Sequence, residues 1–212
     1  MDSLNMKPEE IESESFRIID EEAGEHGWDD PHWQIVRRAI HTSADFDYTN
    51  SLVFSDNAIE KAVAALSSGA GIVTDTNMAL AGISKARMVP FGCSAICHVA
   101  DSDVGALARR EGVTRSIVAM RKAVTDLHNR IFVIGNAPTA LFELLRLIEA
   151  GQTRPALIIG LPVGFVGAEE SKNALAATDG SIPFITNIGR KGGSNVAAAI
   201  VNALAIIASA QK

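Results

Sequence analysis

Six short apolar runs, separated by amphipathic stretches of helical period, constrain this chain more than any other feature. The runs are Leu52–Phe54, Gly71–Thr74, Ala95–Val99, Ile131–Ile134, Ala156–Leu161 and Ile182–Ile185. Within each, apolar residues follow one another without polar alternation, as in strands covered on both faces. Helical patterns fall at Asn57–Leu66, Val104–Glu111, Arg115–Leu127, Thr139–Glu149 and Glu169–Ala177, and a last one runs from about Asn195 to Ala208. Strand and helix in turn, at this spacing, predict a three-layer α/β/α fold around a mainly parallel central sheet. No internal repeat, low-complexity tract or long linker interrupts the pattern, so residues 1–212 are expected to form one domain.

Two helices are expected ahead of this core. The first, about Pro8–Glu22, carries Ile11, Ile18 and Ile19 on one stripe, and Ser15 falls on that same apolar face. The second starts at Asp30-Pro31, a capping residue followed by proline in the first turn. It runs through Trp33, Val36 and Ile40 and ends near His41.

Charge and composition narrow the function classes. Residues 1–30 hold eleven acids and two bases, whereas the other 182 residues hold fourteen acids and seventeen bases. The body is therefore mildly basic, which suits a small anionic ligand. It has no dense Lys/Arg stripe with interleaved aromatics, so nucleic acid is not expected as a partner. No run approaches the roughly 18 apolar residues of a membrane span. The polar, acidic start does not read as a secretory signal, and two cysteines make no disulfide framework. A cytoplasmic protein without membrane attachment is the expectation.

Three glycine-rich segments fall where strands should hand over to helices, the edge at which open α/β sheets bind ligands. They are Gly135–Thr139, Gly160–Gly167 and Gly189–Ser194. Such loops let the backbone approach a ligand, and helix-start N–H groups offer donors to carboxylates or phosphates; tight turns alone are the plainer explanation. None has the spacing of a dinucleotide fingerprint or a phosphate-binding loop. Among titratable residues His41 stands out, with Arg37 and Arg38 one turn earlier on its side of the helix. Alone, a helix-end histidine is more often structural than catalytic. Cys93-x3-Cys97-His98 lacks the second ligand pair a tetrahedral zinc site needs, so no metal is expected. Asp75 can orient a ligand or cap the next helix.

Several ordered strings together resemble the precorrin-8X methylmutase family, called cobalt-precorrin-8 methylmutase in the anaerobic route. They include Glu14-Ser15-Phe16-Arg17-Ile18-Ile19, Arg38-Ala39-Ile40-His41-Thr42-Ser43-Ala44-Asp45 and Gly71-Ile72-Val73-Thr74-Asp75-Thr76-Asn77-Met78. Gly135-Asn136-Ala137-Pro138-Thr139-Ala140-Leu141, Leu161–Ala168, Glu170-Ser171-Lys172 and Gly189–Ser194 continue the match, which runs from about residue 12 to the C-terminus. The resemblance implies an isomerase of corrin biosynthesis that moves a methyl group from C11 to C12 of a tetrapyrrole. Precorrin-8X would give hydrogenobyrinic acid, and the cobalt-loaded counterpart cobyrinic acid. It implies no cofactor and a homodimer with its ligand site near the subunit interface. It places the acid/base histidine at His41 and substrate contacts at Ser15, Arg38, Ser84 and Arg115. Position 84 is often threonine in the family, and serine keeps the hydroxyl. The glycine loops would add Asn136, Gly164 and Gly192. A non-catalytic tetrapyrrole-binding protein on the same scaffold is the alternative.

Overall fold

Neighbouring residues of the central strands point into two different cores. In the computed structural model, which describes residues 7–178, 180 and 182–211, strand residues Ile131 and Val133 join one apolar cluster while Phe132 and Ile134 join another. All four are buried to 2% exposure or less, so the sheet is covered on both faces.

The chain opens with α1 (Pro8–Ala23), α2 (Asp30–Ser43) and the single turn α3 (Tyr48–Ser51). There follow β1 (Leu52–Phe54), α4 (Ala58–Ser67), β2 (Gly71–Thr74), α5 (Asn77–Gly82), α6 (Lys85–Met88) and β3 (Ala95–Ile96). The second half comprises α7 (Ser102–Glu111), α8 (Arg115–Ala123), β4 (Asn129–Ile134), α9 (Pro138–Glu149) and β5 (Leu157–Gly160). It ends with α10 (Ala168–Ala176), β6 (Phe184–Asn187) and α11 (Ser194–Ala210).

The strands lie in the order β1-β6-β5-β4-β2-β3. All neighbours are parallel except β1, which pairs antiparallel with β6 through Leu52↔Asn187 and Phe54↔Ile185. Helices α2, α4 and α11 cover one face with Val36, Ile40, Leu66, Ile200 and Leu204. Helices α7 to α10 cover the other with Val104, Met120, Leu144 and Leu175. The expected three-layer α/β/α arrangement, with two leading helices, is what forms.

Local chemistry sets most boundaries. Asp29 caps α2 by accepting the His32 N–H at 3.2 Å, and Ala44 in the left-handed region (φ 53°) ends it, its N–H returning to Ile40 O. α8 stops at Ala123 rather than Leu127 because the Asn129 amide takes the Ala123 carbonyl at 2.8 Å. β3 is shorter than the apolar run suggests, since as an edge strand it pairs only with β2 and turns away at Cys97. The winding reverses between β2 and β4, which puts the topological switch point beside Thr74 and Ile134.

Candidate active site

α2 carries His41 in its last turn, exposed, while Ile40 beside it is buried and fixes the helix on the core. α1 packs across α2 with Ile19 buried and Phe16 half-buried. The Phe16 ring stands 5.1 Å from the His41 ring at a tilt of 54°. Between the two helices lies a groove of about 300 Å³ lined by Ser15, Ile18, Ile19, Ile40, His41 and Phe46. Its walls are mainly apolar, and Ser15, His41 and Glu22 bring polar atoms to it. The Ser15 hydroxyl donates to Ile11 O at 2.8 Å, so a back-bond within the helix settles a polar group on an apolar stripe. Its oxygen still has lone pairs to accept from a ligand.

The two arginines before His41 are not idle. Arg38 pairs with Glu12 of α1, and Arg37 with Asp20 of α1 at 2.8 Å. Both guanidinium groups also sit over the Phe16 ring, at 4.7 and 4.5 Å from its centroid. Asp45 and Asp47, four and six residues past His41, turn to Lys191 at 2.6 and 2.5 Å. The Lys191 hydrogen bond holds the Asp45 carboxyl below its ordinary pKa. With the Asn195 amide donating to Thr42 O at 3.4 Å, these contacts join the end of α2 to the Gly189–Ser194 turn.

The glycine loops fare differently from one another. Asp75, 1% exposed, accepts the N–H groups of Gly135, Asn136 and Ala137 at 2.9, 2.9 and 2.7 Å. Burial raises its pKa, and the three donors work against that rise. Asp75 therefore holds the Gly135 loop and does not cap the next helix; Thr76 is that cap, accepting from Ala79 at 3.1 Å. The N–H groups of the Gly135 loop are already taken, so Asn136 has only its exposed side chain to offer. The Gly160–Gly167 and Gly189–Ser194 loops clasp each other through Gly193 N–H to Leu161 O and Gly164 N–H to Arg190 O. Gly192 must be glycine there, because a Cβ would run into the carbonyl oxygens of Leu161 and Pro162.

Ser84 lies elsewhere in the α2 layer, before α6, with its N–H held by Asn202 Oδ1 at 2.9 Å. Arg115 starts α8, across the sheet, its guanidinium resting on Gly105. One chain thus brings together His41 and Ser15, with Arg38 one turn away, and leaves Arg115 in the opposite layer. Cys93 faces Leu66 O at 3.3 Å, burial raises the Cys97 pKa, and His98 pairs with Asp101 at 2.8 Å. Among the described residues no cluster of three or more His, Cys, Asp or Glu is placed to hold a metal. In the same residues no helix is long and apolar enough to cross a membrane.

Two residues escaped the sequence reading. Glu12 looked like one acid among many in a charged helix. Lys172, inside the recognised Glu170-Ser171-Lys172 string, is 1% exposed and donates to Asn187 Oδ1 at 3.2 Å and Lys191 O at 2.5 Å. Burial depresses its pKa to about 8. A lysine on the apolar stripe of α10 was its only signal.

Known proteins place this architecture. The family described as Precorrin-8X methylmutase matches residues 10–207. A cobalt-precorrin-8 methylmutase of Priestia megaterium is 48% identical over 205 residues, covering 97% of this chain and 90% of that protein. A precorrin-8X methylmutase of Pseudomonas aeruginosa is 44% identical over 195 residues, covering 92% of this chain and 93% of the relative. The crystal structure of the precorrin-8X methyl mutase from Thermus thermophilus superposes with a TM-score of 0.87 at 40% identity, over 95% of this chain and 96% of that one. Sequence and fold agree along nearly the whole length: the chain belongs to the precorrin-8X methylmutase family, isomerases of cobalamin biosynthesis.

Proposed function

We propose that His41 is the acid/base residue of the methyl shift and that Ser15 and Arg38 hold the tetrapyrrole against it. The observation that carries this reading is the groove between α1 and α2, where the imidazole and the Ser15 hydroxyl line one mainly apolar cleft. In the shift, the C11–methyl bond breaks as the C12–methyl bond forms, with no net change of oxidation state. A proton lent to a ring nitrogen draws electron density away from the migration terminus and lowers the barrier; its return to the imidazole closes the cycle. Histidine suits that loan near neutral pH, and general acid catalysis supplies on the order of 10²- to 10⁴-fold. Binding and strain of the macrocycle supply the rest.

The substrate's carboxylates suit arginine forks, with Arg38 beside the imidazole. Arg115 and Ser84 complete the set in a homodimer, where a second copy presents them to the groove; the place of Arg115 on the opposite face of the sheet from His41 favours that arrangement. Gly164, Gly192 and Asn136 border the same sheet edge. A cytoplasmic setting fits two cysteines that form no disulfide.

His41→Ala tests the central claim. The variant should fold, bind hydrogenobyrinic acid and lose turnover by at least about 100-fold. Near-normal turnover would remove His41 as the proton donor.

A further inference from the structure

Lys172 is a buried cation without a carboxylate. Among the described residues no acid stands within ion-pair distance of it; Glu169, on its own helix, acts on it only at longer range. Its ammonium is instead given to the Lys191 carbonyl and the Asn187 side-chain oxygen. The Asn187 amide in turn takes the carbonyls of Ile188 and Lys191, at 3.1 and 2.9 Å. Both Lys172 and Asn187 are 1% exposed, so these two carbonyls are drawn inward.

A trans peptide unit points its N–H opposite to its C=O, and the described chain has no cis bond. Pulling the Ile188 and Lys191 carbonyls in therefore turns the N–H groups of Gly189 and Gly192 out. Among the described residues neither of these N–H groups has an acceptor. The same sheet edge shows what such a loop does with an anion: Asp75 fills the N–H groups of Gly135, Asn136 and Ala137. One loop is occupied by the protein's own carboxylate and the other is left open, with a positive charge behind it.

We propose that the Gly189–Gly192 turn is a nest for one carboxylate of the tetrapyrrole, and that Lys172 is its positioning residue. This rests on the reading that the substrate is gripped by its carboxylates at this edge. Lys172 touches no substrate; it holds the turn so that main-chain donors face the ligand.

The test is titration of the full chain with hydrogenobyrinic acid, followed by visible absorption. Lys172→Met should bind about tenfold more weakly, the worth of one charge-assisted contact, with kcat at saturation unchanged. Unchanged affinity in Lys172→Met, alongside weakened binding in Arg38→Ala, would overturn the proposal and spare the carboxylate reading. Wild-type affinity in both variants would overturn that reading as well. Amide resonances of the wild-type protein give a measure that needs no variant. Those of Gly189 and Gly192 should move on adding the acid, while Gly135 and Ala137, already bonded to Asp75, should not. Stationary Gly189 and Gly192 resonances would refute the nest even if Lys172→Met failed to fold.

Discussion

Removing the Asp75 carboxylate should loosen the switch point of the sheet without unfolding the protein. In Asp75→Ala, three N–H groups lose acceptors now held at 2.7 to 2.9 Å. Gly135 and Ala137 are buried, whereas Asn136 is exposed and water can serve its N–H. Two orphaned donors at about 1–3 kcal/mol each cost roughly 2–6 kcal/mol. Against this, the variant no longer buries a carboxylate, and relief of that burial, which raises the Asp75 pKa, returns a minor part of the loss. A net loss of about 3 kcal/mol results, which for a chain of this size lowers Tm by roughly 6–12 °C. That is survivable within an ordinary stability of about 5–15 kcal/mol. Thermal unfolding followed by circular dichroism and calorimetry reads the shift. Asp75→Asn, which keeps the shape and one acceptor oxygen, should lose less than Asp75→Ala. A variant within 1 °C of wild type would show that the three bonds only break even with the buried charge, and the argument would fail.

If Arg38 grips the substrate as proposed, its pairing with Glu12 must compete, and Glu12→Gln should lower KM by about two- to fivefold, the range for a partly exposed ion pair. Glu21→Gln makes the same charge change but faces Arg17 and should leave KM alone; equal effects of the two, or a KM that rises, would dismiss the competition. Lys172 gives a signed pH dependence, because burial lowers its pKa from 10.5 to about 8 in the folded state. Between those values the folded protein binds fewer protons than the unfolded chain, so wild-type stability should rise with pH relative to Lys172→Met. Below about pH 8 the penalty is full and constant, and the gain by pH 10.5 is on the order of 3 kcal/mol. Urea melts of both proteins across that range measure it, and a difference that stays flat would mean the ammonium is not depressed.

What the sequence determined by itself is what local physics controls. All six apolar runs overlap a strand, though β6 begins two residues into its run and extends two past it, and the two leading helices start and stop within a few residues of their caps. His41 falls at the end of α2 and Ser15 on the groove-facing stripe of α1, because a helix repeats every 3.6 residues wherever it sits. Periodicity misled where it ran past a side-chain stop: Leu127 extends the apolar pattern of α8, yet it is 83% exposed beyond the Asn129 cap. Tertiary structure alone decided the strand order, the antiparallel seat of β1 and the partners of the charged groups. Asp75 meets a loop 60 residues on, Glu12 meets Arg38 across 26, and Lys172 meets Lys191 across 19. A carboxylate or an ammonium carries no mark in its neighbours of which distant donor or carbonyl it will meet. That choice is made only when packing excludes water and leaves each buried charge to be satisfied by whatever the fold has brought within reach.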